Sequence, residues 1–223
     1  MPADVLALFD LDHTLLAGDC DEAWVEFLIE RDVLDRASFE RANREVVDRY
    51  RRGEVGILEF TEFYVSTLAP HALPQLETWR SEYLQQKIMP IISIAARVLV
   101  GKHRTAGDLT VLTTAASRFL AYPIAREFGF EHLIATEPQM HDGRFTGRVA
   151  GTPNMREGKI ARLEAWLAER GDKLTRFRQS WFYSDSRNDI PLLSRVTHPV
   201  AVNADPALAA LASEKGWPTL RIR

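Results

Sequence analysis

The chain has 223 residues, 46% of them hydrophobic, and a formal net charge of −3. That composition belongs to a soluble globular protein with a sizeable core, built as one large domain or as one domain carrying a smaller insert. Its mild acidity gives no electrostatic case for nucleic acid or an anionic membrane as partner, and its one cysteine, Cys20, excludes an internal disulfide.

The N-terminus lacks a basic region. The apolar run from Val5 to Phe9 is cut by Asp10 and Asp12, so it reads as a buried core strand and not as a leader or a membrane span. The cytoplasm is the default compartment. From Asp21 to about Gln86 the pattern is helical: Trp24, Phe27 and Leu28 recur at helical spacing, and Asp19 with Glu22 reads as a capping box. Further helices are predicted over 38–52, through Leu58 to Leu68 with a stop before Pro70 and Pro74, and from Leu76 to about Gln86. A helical run from Ile91 follows, continuing towards Gly107. A second buried strand spans 108–113, and a helix over 117–128 is closed by Gly129. A strand is expected at 132–136, and a hairpin at 140–149 around Asp142-Gly143. A helix carries Ile160, Leu163 and Leu167 on one face, and strands at 180–183 and 199–202 complete the pattern. Strands alternating with helices predict an α/β fold, a doubly wound, mostly parallel sheet. The all-helical insert divides the chain into a core domain, residues 1–16 and 88–223, and a cap, residues 17–87.

Polar groups end three of the predicted strands: Asp10 and Asp12, Thr113 and Thr114, and Asp185 with Asp189. Sites in such sheets form at the carboxyl ends of the strands. Asp10 and Asp12 lie two apart in an extended chain and so face one pocket, where two carboxylates repel unless a cation or a shared proton resolves the conflict. The chemistry that suits them is magnesium-dependent phosphoryl transfer. Asp10 is the nucleophile, giving an aspartyl-phosphate that water then cleaves. Asp12 is the general acid and base. Asp185 is the natural further source of metal ligands. Thr114, the backbone N–H around Ala115, and Lys159 at a helix start are donors for phosphate oxygens. Taken singly, Lys159 reads as a surface lysine, and Asp189 as a cap of the short helix around Pro191.

Asp10-Leu-Asp12-His-Thr14, Thr114, Lys159 and Asp185-Ser-Arg-Asn188-Asp189 resemble, in order, the four motifs of the haloacid dehalogenase-like phosphatases. The similarity is greatest to the phosphoserine-phosphatase-like branch with a helical cap after the first motif. The resemblance implies that Asp10, the backbone carbonyl of Asp12 and Asp185 hold Mg2+ with Asp189 supporting them, and that Thr114, Lys159 and Asn188 hold phosphate. Two residues depart from the pattern: Ser184 stands where glycine is usual, and Ala116 where a hydroxyl residue is frequent. Counted by position, the cap residues that would meet the substrate's far end are Asp19 and Glu62, the latter in place of an arginine that grips a carboxylate. Asp19, Asp21 and Glu62 would therefore suit a cationic group. Histidinol phosphate, with an amine and an imidazole but no carboxylate, leads as substrate, and phosphoserine follows. Phosphotransfer to an acceptor other than water, and a non-catalytic binding module, are the competing readings. Oligomeric state is not legible.

Overall fold

The first apolar run forms β1 (Val5–Phe9), and its place in the sheet explains its composition. The chain continues through β2 (Leu109–Ser117), β3 (His132–Thr136), a hairpin of β4 (Pro138–His141) and β5 (Arg144–Val149), then β6 (Gln179–Ser184), β7 (His198–Val202) and β8 (Thr219–Leu220). These bounds come from a computed structural model, which describes residues 3–222. The main sheet has the order β3-β2-β1-β6-β7-β8, and each of its pairings is parallel. The hairpin pairs separately and antiparallel.

Helices cover both faces, so β1 has no solvent side. Leu6 and Leu8 point into a cluster with Leu163, Leu167, Leu192 and Leu208, supplied by α7 (Glu157–Ala168), α8 (Ile190–Leu193) and α9 (Pro206–Lys215). Ala7 and Phe9 point the other way, into a cluster with Trp24, Tyr83, Val100 and Ile124. Alternation along a strand thus feeds two buried layers, which is why β1 reads as continuously apolar.

Between β1 and β2 the chain is helical: α1 (Cys20–Ile29), α2 (Arg36–Arg51), α3 (Ile57–Val65) and α4 (Leu73–Tyr83), before α5 (Ile94–Ala106) leads into β2. The expected cap of α1 is present, with the Asp19 side chain accepting the Glu22 N–H at 2.9 Å. Ser117 caps α6 (Arg118–Phe128), and Gly129 closes it in a left-handed conformation. Two helix starts differ from expectation. The third helix ends before Pro70 and Pro74 as expected, but α4 starts at Leu73 and not at Leu76 and takes Pro74 into its first turn, because proline lacks only an N–H that the first turn leaves unpaired anyway. Ile92 is extended and bridges Leu16, so α5 begins at Ile94, capped by Ser93. With Ala17 N–H bonded to Ile91 O at 2.8 Å, the two crossings into the insert run side by side. Within the insert, α1 and α4 share the buried cluster of the sheet through Trp24, Phe27 and Tyr83. By contrast α2 and α3 pack on their own rings: Phe39 on Phe63 and Tyr50 on Phe60. Among the described residues no helix is long and apolar enough to cross a membrane.

Candidate active site

Strand order reverses beside β1, because the chain builds outward through β2 and β3 and then returns to β6 on β1's other edge. Ligand sites of open parallel sheets form at such a point. Asp10 follows β1, Asp185 follows β6, and Ala115 lies near the end of β2, so three adjacent strands deliver them to one place. Asp10 N–H bonds Tyr183 O at 2.9 Å, fastening the two strand ends together. The Thr14 hydroxyl lies 3.1 Å from Asp10 Oδ2 and 3.3 Å from Asp185 Oδ1, and it accepts the Asp185 N–H at 3.0 Å.

Lys159 is no surface lysine. It is 2% exposed, and its Nζ donates to Asp10 Oδ1 and to Asp189 Oδ2, each at 2.7 Å. Burial opposes its charge, but the two carboxylates outweigh that cost and raise its pKa. Asp189 Oδ2 also accepts the Ser184 hydroxyl at 2.7 Å. The serine that replaces the usual glycine therefore acts on the site at one remove, since it holds Asp189, which holds Lys159. Asp189 is engaged on the lysine side, so its support of a metal shell would be indirect.

The site is short of positive charge. Burial, partly offset by Lys159, pushes Asp10 up to about 6. Burial and the neighbouring Asp10 push Asp185 up to about 8. Asp12 is raised well above the ordinary carboxylate range by burial and by Asp19, Asp10 and Asp21, while one oxygen accepts the Cys20 N–H at 2.8 Å. Burial and close acidic neighbours thus favour the protonated form of the Asp12 carboxyl.

A cavity of about 350 Å³ collects Asp10, Asp12, Ala115, Lys159, Asp185, Asn188 and Asp189, together with Asp19 of the insert. That is a volume for a small metabolite. His13 lines it as well. Two expected residues lie elsewhere. Thr114 is fully buried, and its hydroxyl accepts the Ala116 N–H at 3.1 Å, shaping the backbone of Ala115 and Ala116 that does line the cavity. Glu62 is a correction: its Oε1 accepts the Val149 N–H at 3.0 Å, and it borders a separate hollow with Glu59 and Arg148. On α3, Glu59 and Glu62 share the face towards β5, while Thr61, Tyr64 and Val65 face the cavity.

One organising residue has no sequence signal. Asn154 is fully buried, and its Nδ2 donates to Thr113 Oγ1, Thr114 O and Ile134 O at 2.8–3.0 Å. It ties the ends of β2 and β3 to the loop that leads into α7, the helix that carries Lys159.

Residues 7–194 match the haloacid dehalogenase-like hydrolase family. The chain belongs to that family and is a phosphatase of it. It is 42% identical over 219 residues to a histidinol-phosphatase of Neisseria meningitidis, covering 98% of this chain and 99% of that one. A phosphoserine phosphatase of Mycobacterium tuberculosis is 32% identical over 221 residues, covering 95% and 68% of the two chains. A crystal structure of a protein of unknown function from Bordetella pertussis superposes with a TM-score of 0.94 at 44% identity, covering 99% of this chain and 100% of that one. Substrate-bound phosphoserine phosphatase superposes at a TM-score of 0.65 and 17% identity, covering 98% and 92%, a likeness of fold alone.

Proposed function

We propose that the protein is a magnesium-dependent phosphomonoester hydrolase acting on histidinol phosphate through an aspartyl-phosphate on Asp10. One observation carries the substrate. Beyond the Asp10 end, the cavity is lined by Asp19, Asp21 and Glu22, and Lys159 is the only Lys or Arg among the described residues lining it. Lys159 is already held by Asp10 and Asp189. A substrate carboxylate such as that of phosphoserine finds no arginine there, whereas an amine and an imidazole find acidic partners. The Neisseria relative's name agrees with this reading.

In the first step a carboxylate oxygen of Asp10 attacks phosphorus. The phosphorus–oxygen bond to the alcohol breaks, and the Asp12 proton passes to the departing alkoxide. In the second step Asp12 takes a proton from water, whose oxygen attacks phosphorus and frees Asp10. Lys159 holds Asp10 in place, and the Ala115 N–H and Asn188 receive phosphate oxygens. Among the described residues no cluster of three or more His, Cys, Asp and Glu side chains is arranged to hold a metal. The donor set fits magnesium nonetheless: Asp10 and Asp185 converge on Thr14, and this hard ion keeps several waters and needs only one or two carboxylates. Mg2+ there would neutralise charge between the carboxylates and the phosphoryl group. The insert, residues 17–87, serves as the cap that excludes water during attack.

Phosphate release across histidinol phosphate, phosphoserine and sugar phosphates tests the proposal. Histidinol phosphate should exceed phosphoserine by roughly 100-fold in kcat/KM, and flat turnover would refute the substrate. Asp10→Asn should abolish turnover of every compound. Product analysis with added amino alcohols separates hydrolysis from phosphotransfer.

A further inference from the structure

Arg156 takes no part in the chemistry above, yet its backbone is strained. It precedes α7 with φ 52° and ψ −124°, torsions that glycine adopts freely and a side chain adopts only at a cost. The surrounding loop leaves little room to relax. Asn154 anchors it to β2 and β3, and Gly158 packs so tightly on the Pro153 carbonyl that a Cβ would collide with it. A non-glycine residue held in this way implies that its side chain is needed.

That side chain joins two things. Its Nε–H donates to Asn188 Oδ1 at 3.1 Å, and its guanidinium lies 5.4 Å above the ring of Tyr50 on α2. Arginine carries only donors, so the Asn188 atom facing it must be the carbonyl oxygen. The other end of the amide, the NH2 group with two donors, is left for the cavity that Asn188 lines. An amide turned the other way would offer its oxygen to a phosphate oxygen and repel it. Tyr50 in turn stacks on Phe60 at 4.8 Å, and Phe60 lines the same cavity.

We propose that Arg156 is a positioning residue that locks the Asn188 amide with its NH2 towards the phosphate and, through Tyr50, ties the α2–α3 pair to the phosphate-binding end. The proposal rests on the phosphatase reading above. Asn188 would hold the phosphate in ground and transition states alike, so losing its orientation weakens binding more than turnover.

The test measures KM, kcat and the inhibition constant of inorganic phosphate for Arg156→Met, Arg156→Gly, Asn188→Ala, Tyr50→Leu and the Arg156→Met/Asn188→Ala pair. Arg156→Met should raise KM and the phosphate inhibition constant by about tenfold, the size of one charge-assisted hydrogen bond, and kcat should change far less. Asn188→Ala should do the same, and the pair should be no worse than either single change, because both remove one interaction. Tyr50→Leu should move the same two constants in the same direction by a smaller factor. Arg156→Gly relieves the strain, so it should raise KM while raising Tm by roughly 2–4 °C. Unchanged constants in Arg156→Met, or multiplied effects in the pair, would overturn the proposal. So would a lowered Tm with unchanged KM in Arg156→Gly, which would mark a structural prop. Asp10→Asn assayed alongside keeps the readings apart: retained turnover in that variant refutes the chemistry itself, whatever Arg156 does.

Discussion

A lysine sealed from water between two carboxylates, at 2.7 Å from each, joins Asp10 to Asp189. Lys159→Met leaves Asp10 and Asp189 buried without their cation, which costs about 3–5 kcal/mol. Calorimetry should therefore show a large fall in Tm together with loss of turnover. Asp21 offers a contrasting case. Removal from bulk water, with Asp19 and Glu22 nearby, raises its pKa from 3.8 to about 8. An acid whose pKa is raised on folding favours the fold while protonated. Its contribution is full below 3.8 and is lost as pH rises through about 8. Asparagine mimics the neutral form, so Asp21→Asn should match the wild type in Tm near pH 4 and exceed it increasingly towards pH 8. The same change should raise KM for histidinol phosphate, exchanging function for stability. A Tm difference that does not change with pH would contradict the assigned cause.

Elements decide which residues are legible in the sequence. Asp10, Asp12, Asp185 and Asn188 stand just after apolar strands, and the parallel arrangement turns that position into a shared location. Lys159 gains its meaning from the same motif order, although nothing in the helix pattern announces its burial. Asn154 is invisible because two of its three Nδ2 partners are backbone carbonyls, which carry no sequence signature. Glu62 is misplaced by sequence because a residue count through helices says nothing about which face a side chain occupies. Its face on α3 is set by packing against β5. One variant probes the loop between β5 and α7. Gly158→Ala forces a Cβ into the Pro153 carbonyl and should cost about 1–3 kcal/mol. Denaturant unfolding would record this, with activity falling because Lys159 follows one residue later.

At the scale of the molecule, the proposed function assigns reaction and selection to different parts of the fold. The sheet supplies Asp10, Asp185 and the phosphate donors, and the insert supplies Asp19, Asp21 and Glu22. Chelation with EDTA should stop turnover of all substrates equally and magnesium should restore it, whereas changes in the insert should alter the order of substrates. Glu62→Ala is the control. It should lower stability by about 0.5–1.5 kcal/mol through the lost Val149 bond and leave substrate order unchanged. A changed order would return Glu62 to the substrate site.

The central position of β1 also bears on how the chain reaches its active form. Asp10 meets its lysine 149 residues later and the Thr14 hydroxyl meets Asp185 after 171, so the centre assembles from contacts of great sequence separation. Such contacts form late, after the loop-closure entropy between them has been met. During synthesis β1 emerges well before its neighbour β6, which follows only after the insert, α5, β2 and the hairpin. An apolar strand with an open edge is then exposed to misassociation. In refolding experiments recovery of activity should lag recovery of helical signal, since helices close through local backbone hydrogen bonds while the candidate site waits for β6.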